Sequence, residues 1–272
     1  MTAPIEIVIV NHNTIDELLA CLASLHEAPA SSVGSIVVVD NASTDSSVAR
    51  VRERYPAVAV ISLEENRGFG AANNVALSRS LADYVLFLNS DTVVPAGAID
   101  RLYERLQARH AVAAGPRLVD AHGRPEVSFG SMLTPATELL QRLRVRMAAG
   151  TNPLGRWYID RRLANERIVD WVSGACLLVR REAALAVNGF DERYFLYEED
   201  VDLCAALRSR GGSILFTPLA EVIHLRGRSV SRASREGSGP SAYDRSHLAF
   251  YEKHAPHWSP WLRRWLRGRG RI

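Results

Sequence analysis

The feature that most constrains this chain is the rhythm of its first 115 residues. Short runs of β-branched and aromatic side chains, IEIVIV (5–10), SIVVVD (35–40), VAVISL (58–63) and YVLFL (84–88), alternate with helical periodicity at about 15–26, 45–54, 70–81 and 96–109. Strands alternating with helices of this length build βαβ units with right-handed crossovers, and hence an α/β fold with a mainly parallel central sheet flanked by helices. Tyr84 to Leu88 is apolar at every position, as a strand covered on both faces must be. Asn13 or Thr14 is placed to cap the first helix, and Thr44 or Asp45 the second.

After Gly115 the rhythm changes. GPRLVDAHGRPEVSFGS reads as short strands and turns, TELLQRLRVRMAAG as an arginine-rich helix, and the segment from there to about residue 168 as irregular. VDWVSGACLLVRR restores a strand, REAALAVNGF is a short helix ending at Gly189, and residues 199–210 form a helix closed by Gly211 and Gly212. From about residue 227 the chain is polar and loses its periodicity until the closing HWSPWLRRWLRGRGRI.

A length of 272 residues makes one large domain or two small ones. With 47% hydrophobic and 23% charged residues the mix is that of a soluble globular protein. The net charge of +3 is too small to argue for a nucleic acid partner. Lys253 is the single lysine, so nearly all positive charge is arginine, the better phosphate partner through its planar fork of donors. A GC-rich genome produces the same bias. Cys21, Cys176 and Cys204 are scattered, which gives neither a disulfide framework nor a zinc site and fits a reducing cytoplasm. MTAPIEIVIVNHN lacks the basic start of a signal peptide, and no stretch approaches ~18 consecutive apolar residues. No membrane span is therefore expected.

Each of the first four strands ends on polar residues: NHNT, DNASTD (40–45), ENRGFGAANN (65–74) and NSD. A turn accounts for any one of them. Four on one edge of one sheet describe a ligand crevice, because open α/β sheets bind just outside the carboxyl ends of their strands. Gly68 and Gly70 precede a helix beginning AANN, where a missing Cβ lets backbone approach a ligand and free N–H groups favour anions. The pattern is neither a dinucleotide fingerprint nor a Walker loop, which argues against an oxidoreductase or a P-loop enzyme.

Six blocks in order, VIVNHNTIDELLACLASL, VVVDNASTDSS, ENRGFGAANNVAL, YVLFLNSDTVV, VSGACLLVRREAALAVNGFDERYFLYEEDVDLCAALRSRG and IHLRGRSVSR, resemble bacterial glycosyltransferases of family 2. The likeness is greatest to the rhamnosyltransferase-like and galactofuranosyltransferase-like cell-envelope enzymes. It implies a GT-A fold over residues 1–230, with a nucleotide-binding half (1–115), an acceptor-binding half (116–230), and a basic helical tail (231–272). It also implies a UDP- or dTDP-sugar donor, with dTDP-rhamnose as the leading guess, a divalent cation (Mn²⁺ or Mg²⁺), and inversion at the anomeric carbon. The acceptor would be a cell-envelope glycan or a polyprenyl-linked sugar.

Carried over residue by residue, the resemblance makes Asp40 the carboxylate facing the pyrimidine, with a helix-capping turn as its alternative. Arg67 and Asn73 would contact the donor, with Asn74 as an alternative to Asn73, and Asn11, Asn41, Gly68, Asn89 and Ser90 complete the donor site. Asp91 stands at the last position of the family's D-x-D motif, whose first acid is Asn89 here, so the cation site has one charge fewer. His224 would complete the metal shell with Asp91; otherwise it is a structural histidine after a strand. Arg228, with Arg226 and Arg232, would close over the donor phosphates or remain a solvated basic loop. In EEDVD the resemblance gives Asp200 the role of general base, with Glu199 steering the acceptor or taking that role, and Asp202 solvated or capping its helix. Gly174 and Trp171 would line the acceptor site, Trp171 by stacking on a sugar unless it belongs to the core.

Trp258, Trp261 and Trp265 recur with Leu262 and Leu266 at helical spacing among arginines. Such a segment either lies on an anionic membrane or packs on its own domain or a second subunit. The expected location is cytoplasmic, with peripheral contact at the inner face of the plasma membrane and a homodimer left open. The competing functions are a sugar nucleotidyltransferase, against which the glycine-free NHNT turn argues, and a non-catalytic nucleotide-sugar-binding protein, to which Asn89 lends some weight.

Overall fold

The computed structural model of the chain describes residues 3–150, 152–225 and 241–272. Strands β1 (Ile5–Asn11), β2 (Val33–Asp40), β3 (Ala59–Ser62) and β4 (Tyr84–Asn89) pair in parallel in the order β3-β2-β1-β4. Helices α1 (Ile15–Glu27), α2 (Ser47–Arg54) and α3 (Phe69–Arg79) form the crossovers. Chain order runs outward from β1 in one direction to β3 and in the other to β4. The switch point between β1 and β4 is where a doubly wound sheet opens a crevice.

β4 shows why its sequence is apolar throughout. Tyr84, Leu86 and Leu88 point into one core with Leu18, Leu22, Leu102 and Leu106, while Val85 and Phe87 point into the other with Phe129, Phe190 and Phe216. The sheet continues through β5 (Thr92–Val93), helix α4 (Ala98–Ala108) and β6 (Ala113–Val119). The short pair β7 (Phe129–Gly130) and β9 (Trp171–Val172) stands apart from it, and β8 (Arg167–Val169) joins its far side. β10 (Cys176–Arg180) lies antiparallel between β4 and β6, and β11 (Ile214–His224) runs parallel to β6. Helices α7 (Arg181–Ala186) and α8 (Glu199–Ser209) connect these last two strands.

The segment read as irregular contains a helix. α5 (Pro135–Ala149) and α6 (Pro153–Leu163) form a hairpin, each with a capped N-terminus followed by proline. The polar tail also folds, as α9 (Ala242–His254) and α10 (Ser259–Gly268). These two helices pack Phe250, Tyr251, Leu262 and Leu266 on Tyr194 and Val201, a third small core. Burying the two leucines stabilises the docked tail by about 1.5–3 kcal/mol each. Of the residues on which membrane contact was expected, Leu262, Leu266 and Trp265 thus turn inward, whereas Trp258 and Trp261 stay exposed at 41% and 58%. No helix among the described residues is long and apolar enough to cross a membrane.

Candidate active site

A cavity of about 720 Å³ opens at the carboxyl ends of β1 and β4. Its donor side is built by backbone register. β4 ends at Asn89, the chain turns through Ser90 and Asp91, and β5 then pairs antiparallel with the end of β11, setting Thr92 opposite His224. Leu225 N–H donates to the Asp91 carbonyl at 2.8 Å. The two side chains that sequence separates by more than a hundred residues therefore meet: His224 Nε2 lies 3.3 Å from Asp91 Oδ1, with Asp91 buried and His224 half-buried.

On its other side His224 Nδ1 lies 3.1 Å from Glu126 Oε2, a residue the sequence reading missed. Glu126 reaches this place because its N–H bonds the Leu118 carbonyl on β6, beside β11. Burial disfavours a charged imidazole, but the bonds to Asp91 and Glu126 outweigh it and raise His224 to about 9. A histidine held at one nitrogen by a carboxylate while the other faces a second carboxylate has the form of a supported metal ligand. Among the described residues no group of three or more protein ligands surrounds a common point. One imidazole and one carboxylate suit a cation whose remaining ligands are diphosphate oxygens and water.

Asn41, Gly68, Asn89, Ser90 and Asp91 line the cavity. Asn11 and Asp40 stand one layer behind, where Asn11 Nδ2 donates to Asp40 Oδ1 at 3.0 Å and to Ser43 Oγ, and Asp40 Oδ2 accepts from the Ser43 N–H. Two further expected donor contacts do not reach the cavity. Arg67 turns to Glu192 in an exposed ion pair at 3.2 Å. Asn73 is fully buried, with Nδ2 on the Phe69 carbonyl, and Asn74 clasps the backbone of Phe190. The loop is fixed by Gly68 at φ +85°, where an added Cβ would stand 2.3 Å from the Phe195 carbonyl oxygen. Arg228, Arg226 and Arg232 lie outside the described residues. His12 and Thr14, which also line the cavity, went unread because they look like ordinary turn and cap residues; Thr14 makes no cap bond and instead donates to Asn11 Oδ1.

The opposite wall carries the EED segment. Glu198, at φ +67°, turns the chain into α8, and Glu199 and Asp200 follow in its first turn, where the helix dipole favours acids. Asp200 Oδ2 accepts from the Gly174 N–H at 2.7 Å and Oδ1 from the Val201 N–H at 2.8 Å. Gly174 is itself set by the antiparallel match of β10 to β4, which places the Ala175 carbonyl on the Asn89 N–H. Burial raises Asp200 to about 6 against the pull of the Gly174 bond. Glu199 is raised further, by burial and then by Asp200, and its Oε2 has no hydrogen-bond partner. Asp202, expected to be solvated or to cap its helix, is buried: it accepts from Tyr194, Lys253 and His254 and so anchors α9.

The rest of this wall was not read from the sequence. Glu138, Gln141 and Arg142 of α5 line it, with Tyr243 and His247 of α9. His247 Nδ1 lies 2.9 Å from Glu198 and Nε2 3.3 Å from Glu138, and Tyr243 stacks on its ring. Burial opposes a charge on His247, yet the two carboxylates raise it to about 9. Helix α9 is thus part of the cavity wall rather than an appendage. Trp171, half-buried, lines the cavity with its indole N–H on the Ser131 carbonyl.

The family model for glycosyl transferase family 2 matches residues 6–184. An N-acetylglucosaminyl-diphospho-decaprenol L-rhamnosyltransferase of Mycobacterium tuberculosis is 34% identical over 98% of this chain and 91% of its own length. The rhamnosyltransferase WbbL of Escherichia coli K12 is 28% identical over 58% of this chain and 60% of its own. Among solved structures, GalNAc-T7 with UDP, GalNAc and Mn²⁺ superposes with a TM-score of 0.66 at 15% identity, over 92% of this chain; the chain spans 48% of that structure. A mannosyltransferase of Pyrobaculum calidifontis with GDP-Man and Mn²⁺ gives 0.58 at 18% identity over 98% of this chain and 75% of its own. The chain is a glycosyltransferase of family 2 with the GT-A fold.

Proposed function

We propose that the protein is an inverting, cation-dependent rhamnosyltransferase that uses dTDP-rhamnose and a polyprenyl-diphosphate-linked sugar as acceptor. The observation that carries this reading is a single cavity with Asp91 and His224 on one wall and Asp200 and Glu199 on the other. The mycobacterial relative's named activity supports both the sugar and the acceptor class. Asp91 and His224 would hold the Mn²⁺ or Mg²⁺, which neutralises charge on the leaving diphosphate when bound. Coordination needs a neutral imidazole, so His224 would hold the cation only in its neutral form.

Asn41 and the Gly68 loop border the nucleotide, with Asp40 set behind them by Asn11. Asp200 accepts the proton of the acceptor hydroxyl as its oxygen bonds to the anomeric carbon and the bond to the diphosphate breaks. The Gly174 and Val201 N–H groups aim that carboxylate. Glu199, whose protonated form burial favours, is suited to donate a hydrogen bond to the acceptor and so to orient it. Residues 1–115 would form the nucleotide half and 116–230 the acceptor half, to which the tail adds Tyr243 and His247. In a transfer assay with dTDP-rhamnose, Asp200→Asn is expected to lower kcat by ~10²–10⁴-fold. Glu199→Gln should cost about tenfold, mainly in the acceptor KM. Loss of the larger effect to Glu199→Gln would assign the base to Glu199.

A further inference from the structure

The α5–α6 hairpin has two sides. At about 100° per residue, Glu138, Gln141 and Arg142 share the sector of α5 that faces the cavity. Leu139, Leu140 and Leu143 share the adjoining sector and are exposed at 62%, 41% and 49%. α6 adds Leu154 and Trp157, exposed at 77% and 60%. Large apolar side chains grouped in this way on a soluble surface mark a place of contact.

The charge of the hairpin indicates the partner. Residues 135–163 carry six arginines against two acids, Glu138 and Asp160. Among the described residues only Arg142 of the six forms an ion pair, with Glu138. Arg144 is buried and Arg162 half-buried, and the Nε of each lacks a hydrogen-bond partner. A second copy of the chain across a twofold axis would bring this cationic patch against itself, a like-charge contact that opposes assembly. A surface of phosphates has no such conflict.

We propose that the α5–α6 hairpin docks on an anionic lipid bilayer, its leucines and Trp157 entering the headgroup boundary and its exposed Arg146, Arg156 and Arg161 meeting lipid phosphates. Arg142 lines the cavity while its side chain stays 65% exposed, so it stands where the apolar stripe meets the cavity wall. The mouth of the active site is thereby held at the membrane surface, where a sugar carried on a lipid diphosphate is presented. This last step rests on the lipid-linked acceptor proposed above; the docking does not.

Flotation of the full chain with vesicles tests it. The chain should float with phosphatidylglycerol-containing vesicles, less at high salt, and not with pure phosphatidylcholine. The exposed triple substitution Leu139→Ser, Leu143→Ser and Trp157→Ser should weaken binding at least ~10-fold, whereas Trp258→Ser with Trp261→Ser should bind as wild type. No flotation of wild type, equal flotation of the triple variant, or a dimer that the triple variant converts to monomer would each overturn the proposal. In transfer assays the triple variant should keep its rate on a water-soluble acceptor and lose it on a vesicle-borne one. A wild type that floats but glycosylates neither acceptor would refute the acceptor reading alone.

Discussion

Asp200 is held before any substrate arrives: one oxygen is fixed by the Gly174 N–H at 2.7 Å, the other by Val201. The proposed role of Asp200 as base has a pH signature. Burial raises it to about 6, and only the ionised form accepts a proton, so kcat should fall as pH drops through about 6 and be level above it. A profile that stays flat well below pH 6 would exclude Asp200 as the titrating base. At this scale the sequence was legible where polar residues that end a strand line the cavity, as at Asn41, Ser90 and Asp91. It was illegible where a side chain's direction decides. Arg67 and Asn73 have the right chemistry and sit in the right loop, but Glu192 and the Phe69 carbonyl take them elsewhere. Glu126 and His247 are lone residues in unremarkable segments, and only register and tail docking bring them to the cavity.

Among the elements, the tail shows how buried polar groups fix a position that apolar contacts leave loose. α9 meets the domain through Phe250 and Tyr251, but Lys253 and His254 aim it by closing on Asp202, which is 2% exposed. Lys253→Ala should lower stability by about 2 kcal/mol, since it leaves a buried carboxylate short of a partner. Hydrogen exchange should quicken over residues 242–268 with little change in β1 to β4. Unchanged exchange in the tail would mean that its apolar contacts alone hold it. The four parallel strands were readable to within two residues because β-branched runs and helical periods obey fixed spacings. α6 and α9 were not: α6 buries only Gly155, Ile159 and Leu163, and α9 buries the polar Asp244, Ser246 and His247 beside Phe250 and Tyr251, so neither shows the apolar stripe that a periodicity search needs.

Across the whole molecule, the switch point of the sheet explains why one cavity receives residues from so many elements. β1 and β4 deliver Asn11 to Thr14 and Asn89 to Asp91 to the same edge. The antiparallel β10, slipped between β4 and β6, sets Ala175 across from Asn89 and so places the adjoining Gly174, and β11 returns His224 to Asp91. The insertion of β10 has no counterpart in the strand–helix rhythm, since a strand's partner and direction are set by topology and not by its own residues. The central claim is that Asp91 and His224 form the cation-dependent donor site of this glycosyltransferase. Calorimetric titration with dTDP and UDP, with and without Mn²⁺, on wild type, Asp91→Asn and His224→Ala tests it most directly. The expected result is binding of dTDP that requires Mn²⁺ and weakens at least ~10-fold in either variant; cation-independent binding untouched by both substitutions would contradict it.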